Sequence, residues 1–121
     1  MLEIYEELLA SPVIKVECQA FDYELHFYLE NGKHYKFFHD PVSDESALIT
    51  DITGNLDDLR GQLIIAELVD NYDEMDSYGD IFEWTFYKFA TAKGYVTVRW
   101  EGHGTTWYST SVELVEVIDN K

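Results

Sequence analysis

Residues 21–38 read Phe-Asp-Tyr-Glu-Leu-His-Phe-Tyr-Leu-Glu-Asn-Gly-Lys-His-Tyr-Lys-Phe-Phe and decide the fold. Two aromatic-rich runs flank an Asn-Gly pair, which is typical of a β-hairpin turn. A two-residue turn would mix polar and apolar residues on both faces. A three-residue loop, 30–32, instead places Leu25 opposite Phe37 and separates the faces, and this register is therefore predicted. The apolar face then holds Tyr23, Leu25, Phe27, Tyr35 and Phe37, and the polar face holds Glu24, His26, Tyr28, His34 and Lys36.

Further β-rich runs lie on both sides of this hairpin, and Gly-containing segments at 92–94 and 102–104 are predicted turns. The predicted strands are Val13–Cys18, Ala47–Ile52, Leu63–Val69, Trp84–Thr91, Tyr95–Trp100 and Trp107–Val117. Leu2–Leu9 has the apolar spacing of a short helix, and Asn55 and Gly61 bound a single helical turn. We therefore expect one domain over residues 1–121, α+β but mainly β. It would be an antiparallel meander with a short N-terminal helix and one helical turn near 55–61.

The composition excludes several classes of partner. The 121 residues include 24 Asp or Glu and 8 Lys or Arg, for a net charge of −16. Nucleic-acid backbones and anionic membranes would repel such a chain. One cysteine permits no intrachain disulfide, and the acidic N-terminal residues do not resemble a signal peptide. No apolar run approaches the length of a membrane helix. We expect a soluble cytoplasmic protein.

The negative charge is concentrated in the middle of the chain. Residues 1–39 carry −4, residues 40–83 carry −12 and residues 84–121 are neutral. The segment 67–83 contains seven acids and no base, and we predict an acidic loop there. Two interpretations stay open: a solubilising loop, or a contact surface for a basic partner. The candidate partner-binding residues are Glu67, Asp70, Asp73, Glu74, Asp76, Asp80, Glu83, Tyr72, Tyr78 and Trp107.

The histidines and acids do not follow a metal-binding pattern. His34 and His39 are five residues apart and would face opposite sides of a strand. In the preferred hairpin register His26 has Lys36 opposite it, which discourages a cation. The acids of residues 67–83 do not have the alternating ligands and sixth-position Gly of an EF-hand loop. We predict no metal site.

No catalytic motif is present either. The chain contains no Gly-x-Ser-x-Gly elbow and no phosphate-binding glycine loop. Cys18 has no basic neighbour in sequence to lower its pKa, so a buried structural cysteine is favoured. Trp84 and Trp100 are expected in the core, while Trp107 fits either the core or an exposed aromatic patch. We expect a non-enzymatic protein with no cofactor.

Two longer runs carry a resemblance. Residues 83–102 read Glu-Trp-Thr-Phe-Tyr-Lys-Phe-Ala-Thr-Ala-Lys-Gly-Tyr-Val-Thr-Val-Arg-Trp-Glu-Gly, and residues 51–61 read Asp-Ile-Thr-Gly-Asn-Leu-Asp-Asp-Leu-Arg-Gly. Together with Trp107–Val112, they resemble an uncharacterised family of small phage and prophage proteins. Members often carry Cys-Cys-Glu before the first element, where this chain has Asp44-Glu45-Ser46. The resemblance implies no activity, only a phage gene product in a bacterial cytoplasm.

Three functions follow as hypotheses, of which the first is favoured. A phage-encoded inhibitor could bind the basic nucleic-acid-binding surface of a host defence protein, such as a CRISPR or restriction effector. Alternate strand residues lie ~6.6–6.8 Å apart, about twice the ~3.4 Å rise of one DNA strand, so aligned carboxylates could act as a nucleic-acid mimic. The alternative is a binding module for a small ligand or another protein without mimicry. The third is an enzyme with dispersed acid–base residues.

Overall fold

The computed structural model describes residues 2–18, 21–39, 46–105 and 112–118, in which two antiparallel sheets dominate. The larger sheet has the order β1-β6-β7-β8-β5 and the smaller β2-β3-β4-β9. The strands are β1 Glu3–Ile4, β2 Val13–Glu17, β3 Glu24–Leu29, β4 His34–Phe38, β5 Ser46–Thr53, β6 Ile65–Met75, β7 Asp80–Thr91, β8 Gly94–Thr105 and β9 Glu113–Glu116. The predicted mainly-β single domain is confirmed, and its division into two sheets is new.

The hairpin predicted in residues 21–38 forms β3 and β4 in the predicted register. Leu25 lies opposite Phe37 and Phe27 opposite Tyr35, and all four side chains are buried. Gly32 has a φ of +89°, which glycine adopts without the steric cost that a Cβ would bring. Tyr23 was expected on the same apolar face, but it precedes β3 and is 62% exposed. The alternation of residue types is therefore a reliable guide only within the paired strands.

The core lies where the inner faces of the two sheets meet. The ring of Phe27 in the smaller sheet contacts Phe89 in the larger sheet at 4.9 Å between centroids. Phe37 contacts Tyr87 in the same way at 4.8 Å. Trp100 is fully buried beside them, as expected. These large rings pack together with aliphatic side chains such as Leu25 and Val98 in one core cluster.

Two short helical elements connect the strands. The helix α1 covers Glu6–Leu9 only, because Glu3–Ile4 pairs with β6 instead of extending it. The predicted helical turn is a 3₁₀ turn at Leu56–Leu59, and the Asn55 side chain accepts a hydrogen bond from the backbone N–H of Asp57. None of the helices among the described residues is long and apolar enough to cross a membrane.

Three expectations about residues 67–104 are wrong. Residues 67–83 do not form a loop, since β6 and β7 pair continuously from Ile65 to the turn at 76–79. Residues 102–104 are not a turn, because β8 extends through them and pairs with residues 81–83 of β7. Trp84 is not in the core: it lies half-buried on the sheet face opposite the buried Tyr87 and Phe89.

Candidate functional site

The acidic segment forms the far end of the long β6–β7 hairpin, which we call the acidic arm (residues 70–84). It contains six acids and no Lys or Arg. Every side chain from Asp70 to Tyr78 is exposed. The two strands leave the core after a bulge between Leu68 and Asp70 that shifts the side chains of β6 by one position. The arm therefore presents two faces and a turn.

The outer face of the arm continues onto the adjoining strand β8, on the side of the sheet away from the core. We call the cross-strand neighbours on this face the outer-face grid. Residues directly opposite on paired strands share a face, so the register defines the rows. The three rows, from β6 through β7 to β8, are Asp70–Phe86–Arg99, Tyr72–Trp84–Glu101 and Glu74–Phe82–His103. The central column is entirely aromatic, and three of the six flanking positions are carboxylates.

Aromatic rings on this face stack on one another. Tyr72 stacks on Trp84 with 5.1 Å between centroids, and Phe82 stacks on His103 with 4.6 Å and a 6° angle between planes. Tyr72 is nevertheless 46% exposed, and Trp84 and Phe82 are only half-buried. These rings form a flat aromatic surface that faces solvent.

The other face of the arm brings two carboxylates together. Asp73 lies directly opposite Glu83, although like charges across a strand pair repel each other. The Asn71 amide donates hydrogen bonds to Glu83 Oε2 at 3.0 Å and to the Thr85 hydroxyl at 2.9 Å. Glu83 is thus tied to the arm, whereas Asp73 makes no ion pair within the described part of the chain.

At the turn, the acids have structural roles. One carboxylate oxygen of Asp76 accepts hydrogen bonds from the backbone N–H groups of Tyr78 and Asp80, at 2.9 and 3.0 Å. Asp80 lies 3.5 Å from the ring of His103 on β8. Tyr78 is 89% exposed at the tip. Neutralising Asp76 would therefore disturb the turn as well as the charge.

The predicted partner-binding residues separate into groups. Asp70, Tyr72 and Glu74 share the outer face, while Asp73 and Glu83 share the opposite one. Asp76, Tyr78 and Asp80 belong to the turn region, and Glu67 lies outside the arm, opposite Lys88. Trp107 lies outside the described residues. The prediction missed Phe82, Phe86, Glu101 and His103, although the alternation Phe82-x-Trp84-x-Phe86 in the sequence could have revealed an aromatic face.

A second polar cluster occupies the solvent side of the smaller sheet. His26 Nδ1 and His34 Nε2 are 2.6 Å apart, so one ring donates a hydrogen bond to the other. His26 Nε2 contacts Glu24 Oε1 at 2.7 Å, and the Lys36 ammonium donates to the second carboxylate oxygen at 3.1 Å. The ring of His34 stacks on Tyr28 at 4.0 Å. The carboxylate here is fully paired.

This cluster titrates as a coupled network. The hydrogen bond from His26, aided by Lys36, holds the pKa of Glu24 below its usual value. Desolvation, and then the neighbouring His26, lowers the pKa of His34. A hydrogen bond to Glu17 raises the pKa of Tyr28 to about 12. These shifts arise from burial and from hydrogen bonds to neighbouring side chains, as in a structural network.

An open cleft of about 450 Å³ lies beside the cluster, but it has no activated nucleophile. Its lining includes Cys18 and His26. Burial raises the pKa of the Cys18 thiol to about 12, so the thiol stays protonated at neutral pH. This agrees with the structural role expected for the cysteine. Across the described residues, no three His, Cys, Asp or Glu side chains converge in a way that could hold a metal ion.

Comparison with known proteins identifies a family but no activity. No curated protein and no solved structure matches the chain. One family model covers nearly the whole sequence, from α1 to β9. The chain therefore belongs to the family described as "Domain of unknown function (DUF7448)", whose model matches residues 6–114.

Proposed function

We propose that this protein is a non-enzymatic inhibitor whose acidic arm binds a basic, nucleic-acid-binding surface of another protein. The observation that carries the proposal is the contrast in how carboxylates are paired. On the smaller sheet Glu24 is held by His26 and Lys36. On the arm, Asp73 and Glu74 extend into solvent with no ion pair among the described residues. A partner rich in Lys and Arg would supply the missing cations.

Charge, more than spacing, would produce the competition with nucleic acid. The alternating row of carboxylates expected from the sequence is not formed on β6, because Tyr72 lies between Asp70 and Glu74. Those two carboxylates are separated by four residues, roughly 13 Å along a strand. The concentrated negative field would still steer the arm into a basic groove and exclude phosphates from it.

The resemblance to phage proteins suggests which partners to test first. A host restriction or CRISPR effector has the required basic groove, and an inhibitor of that kind would act in the host cytoplasm. An acidic arm that binds a basic protein surface without displacing nucleic acid is the alternative. Competition with nucleic acid separates the two, because only the first predicts mutually exclusive binding.

The test is capture from host lysate on immobilised protein, followed by identification of the captured proteins. We expect a nucleic-acid-binding protein that is displaced by added DNA or RNA. Raising the salt from 50 to 500 mM should reduce capture by at least about tenfold, since exposed charges are screened. The variant Asp70→Asn/Asp73→Asn/Glu74→Gln should lose capture at low salt. Asp76 is left unchanged because of its role in the turn.

The matched control removes the same charge elsewhere. Glu6, Glu30 and Glu116 are exposed and lie outside the arm, so Glu6→Gln/Glu30→Gln/Glu116→Gln changes the net charge equally. If the control variant also loses capture, net charge matters and the arm does not. If the arm variant captures the partner as well as wild type, the proposal is wrong.

A further inference from the structure

The outer-face grid combines two features that electrostatic attraction alone does not require. Its central column consists of aromatic rings on the solvent side of the sheet, and each of the three rows contains one carboxylate. Glu101 is opposite Trp84, and Glu74 is opposite Phe82. A solubilising surface would gain nothing from exposing these rings to water. The pattern therefore indicates a specific kind of cation.

We propose that the outer-face grid binds arginine side chains of a protein segment in preference to lysine. This inference deepens the function proposed above and rests on it. A guanidinium group is planar and weakly hydrated, so it can stack on Trp84 or Tyr72 while its N–H groups donate to a neighbouring carboxylate. A lysine ammonium forms the ion pair but lacks the planar stacking surface. Nucleobases would also stack, but their phosphates are repelled by the arm.

The same sheet face already holds a cation over an aromatic ring. Lys88 Nζ lies 5.1 Å from the ring centre of Tyr95, beyond the grid. Two further lysines, Lys15 and Lys36, lie over rings of the smaller sheet. In the grid, the rings of Trp84 and Tyr72 stack on each other and have carboxylates close by, and among the described residues no lysine lies over either ring. Arg99, the guanidinium of the grid itself, donates to the Thr50 hydroxyl at 2.9 Å. Charge complementarity thus favours a guanidinium from outside.

The experiment compares two peptides of equal length and charge, one with arginine and the other with lysine at each basic position. Affinities are measured by calorimetry at 50 and 300 mM salt. We expect the arginine peptide to bind about tenfold more tightly, and the difference to persist at the higher salt because stacking is screened less than exposed charge.

Two substitutions test the rings, and a third serves as control. Trp84→Leu and Tyr72→Leu should each reduce the arginine preference to about twofold or less, with lysine-peptide binding nearly unchanged. Tyr95→Leu removes an exposed ring on the same face outside the grid and should leave the preference intact. Circular dichroism confirms that each variant is folded.

The outcomes distinguish the two proposals. Equal affinity for the two peptides, or a preference that survives both ring substitutions, overturns the arginine inference. If the peptides then still lose binding on neutralisation of Asp70, Asp73 and Glu74, the proposed acidic-arm function stands without it. If neither peptide binds at 50 mM salt, the two proposals are both wrong.

Discussion

The hairpin β3–β4 and strand β7 of the acidic arm both alternate polar and aromatic residues, but the alternation has a different use in each. In β3–β4 the aromatic face is buried and the polar face is neutralised by contacts such as that of Glu24 with Lys36. In the acidic arm the aromatic face is only half-buried, and no Lys or Arg lies within the segment. Alternation marks a core face only where the other face is satisfied internally. Where the aromatic face is only half-buried and no basic residue lies within the segment, as on the acidic arm, we propose a surface for a partner.

Removing one aromatic ring from each hairpin should give the largest difference between them. Phe37→Ala deletes a fully buried ring that contacts Tyr5, Phe27, Tyr87 and Phe89. We expect the free energy of unfolding to fall by about 3–5 kcal/mol, because a large cavity is left. Tyr72→Ala should cost roughly 1 kcal/mol or less, since the side chain is half exposed. Urea denaturation measures the free energy of unfolding of both variants. Similar losses would contradict the conclusion that only the β3–β4 aromatic face belongs to the core.

The turns of the two hairpins permit a closer comparison. Gly32 and Gly79 have φ values of +89° and +86°, and a Cβ at either would meet no atom within 4 Å. An alanine at each position therefore suffers the same local strain, about 1–2 kcal/mol. In β3–β4 the whole loss should appear in global unfolding. In the arm, exposed strands can open locally, so the global loss for Gly79→Ala should be smaller.

Hydrogen exchange separates these cases. Gly79→Ala should speed the exchange of amides in residues 71–75 and 80–84 while leaving β3 and β4 protected. Gly32→Ala should speed exchange throughout the smaller sheet. Equal global losses, with no local change in the arm, would mean that the arm unfolds together with the core.

The difference between the hairpins also explains what the sequence could predict. The β3–β4 register followed from a strict separation of residue types, which only one loop length satisfies. Residues 70–80 contain only Tyr72, Met75 and Tyr78 as large apolar side chains, and acids on both faces resemble a solvated loop. The strand character of residues 70–75 comes from pairing with residues 81–86, an effect that a local pattern does not contain.

The turn predicted at residues 102–104 is wrong for a related reason. Gly102 and Gly104 were interpreted as turn residues, yet neither has a positive φ. They lie opposite Glu83 and Ile81 inside the strand. The candidate acids themselves were identified from composition alone, but the grid required the register, because Glu101 and His103 are distant from Tyr72 in the chain.

The pH dependence of stability provides a third comparison between the hairpins. The pKa of His34 is lowered in the folded protein by desolvation and by His26. The unfolded chain therefore binds the proton more readily, and stability falls as the pH decreases through the ordinary histidine value of 6.5. Glu24 adds a further loss below its ordinary value of 4.5, because its pKa is also lowered. We expect lower stability at pH 5.5 than at pH 7.5.

His34→Gln should reduce this pH dependence, and urea denaturation at the two pH values measures it. His103→Gln is the matched control, since His103 lies on β8 beside the carboxylate of Asp80 in the arm. An unchanged pH dependence in His34→Gln would show that the protonation of His34 does not contribute to the pH dependence of stability.

The smallest expected effect concerns the pair of like charges on the arm. Asp73 lies opposite Glu83, so Asp73→Asn should raise the free energy of unfolding by about 0.2–0.5 kcal/mol at low salt. The gain should disappear at high salt, where the repulsion is screened. Glu116→Gln removes the same charge opposite Tyr35 and should give no gain. A loss of stability in Asp73→Asn would contradict the repulsion.

The same variant, Asp73→Asn, tests whether this carboxylate serves binding or protects the edge of the sheet. Within the described residues, β6 beyond Leu68 is paired only with β7, and charges on such an edge discourage pairing with another chain. If Asp73→Asn is more stable, stays monomeric in gel filtration and binds the basic peptide more weakly, the carboxylate is retained for binding at a cost in stability. If it self-associates while peptide binding is unchanged, Asp73 protects the edge, and the binding surface contracts to the outer-face grid.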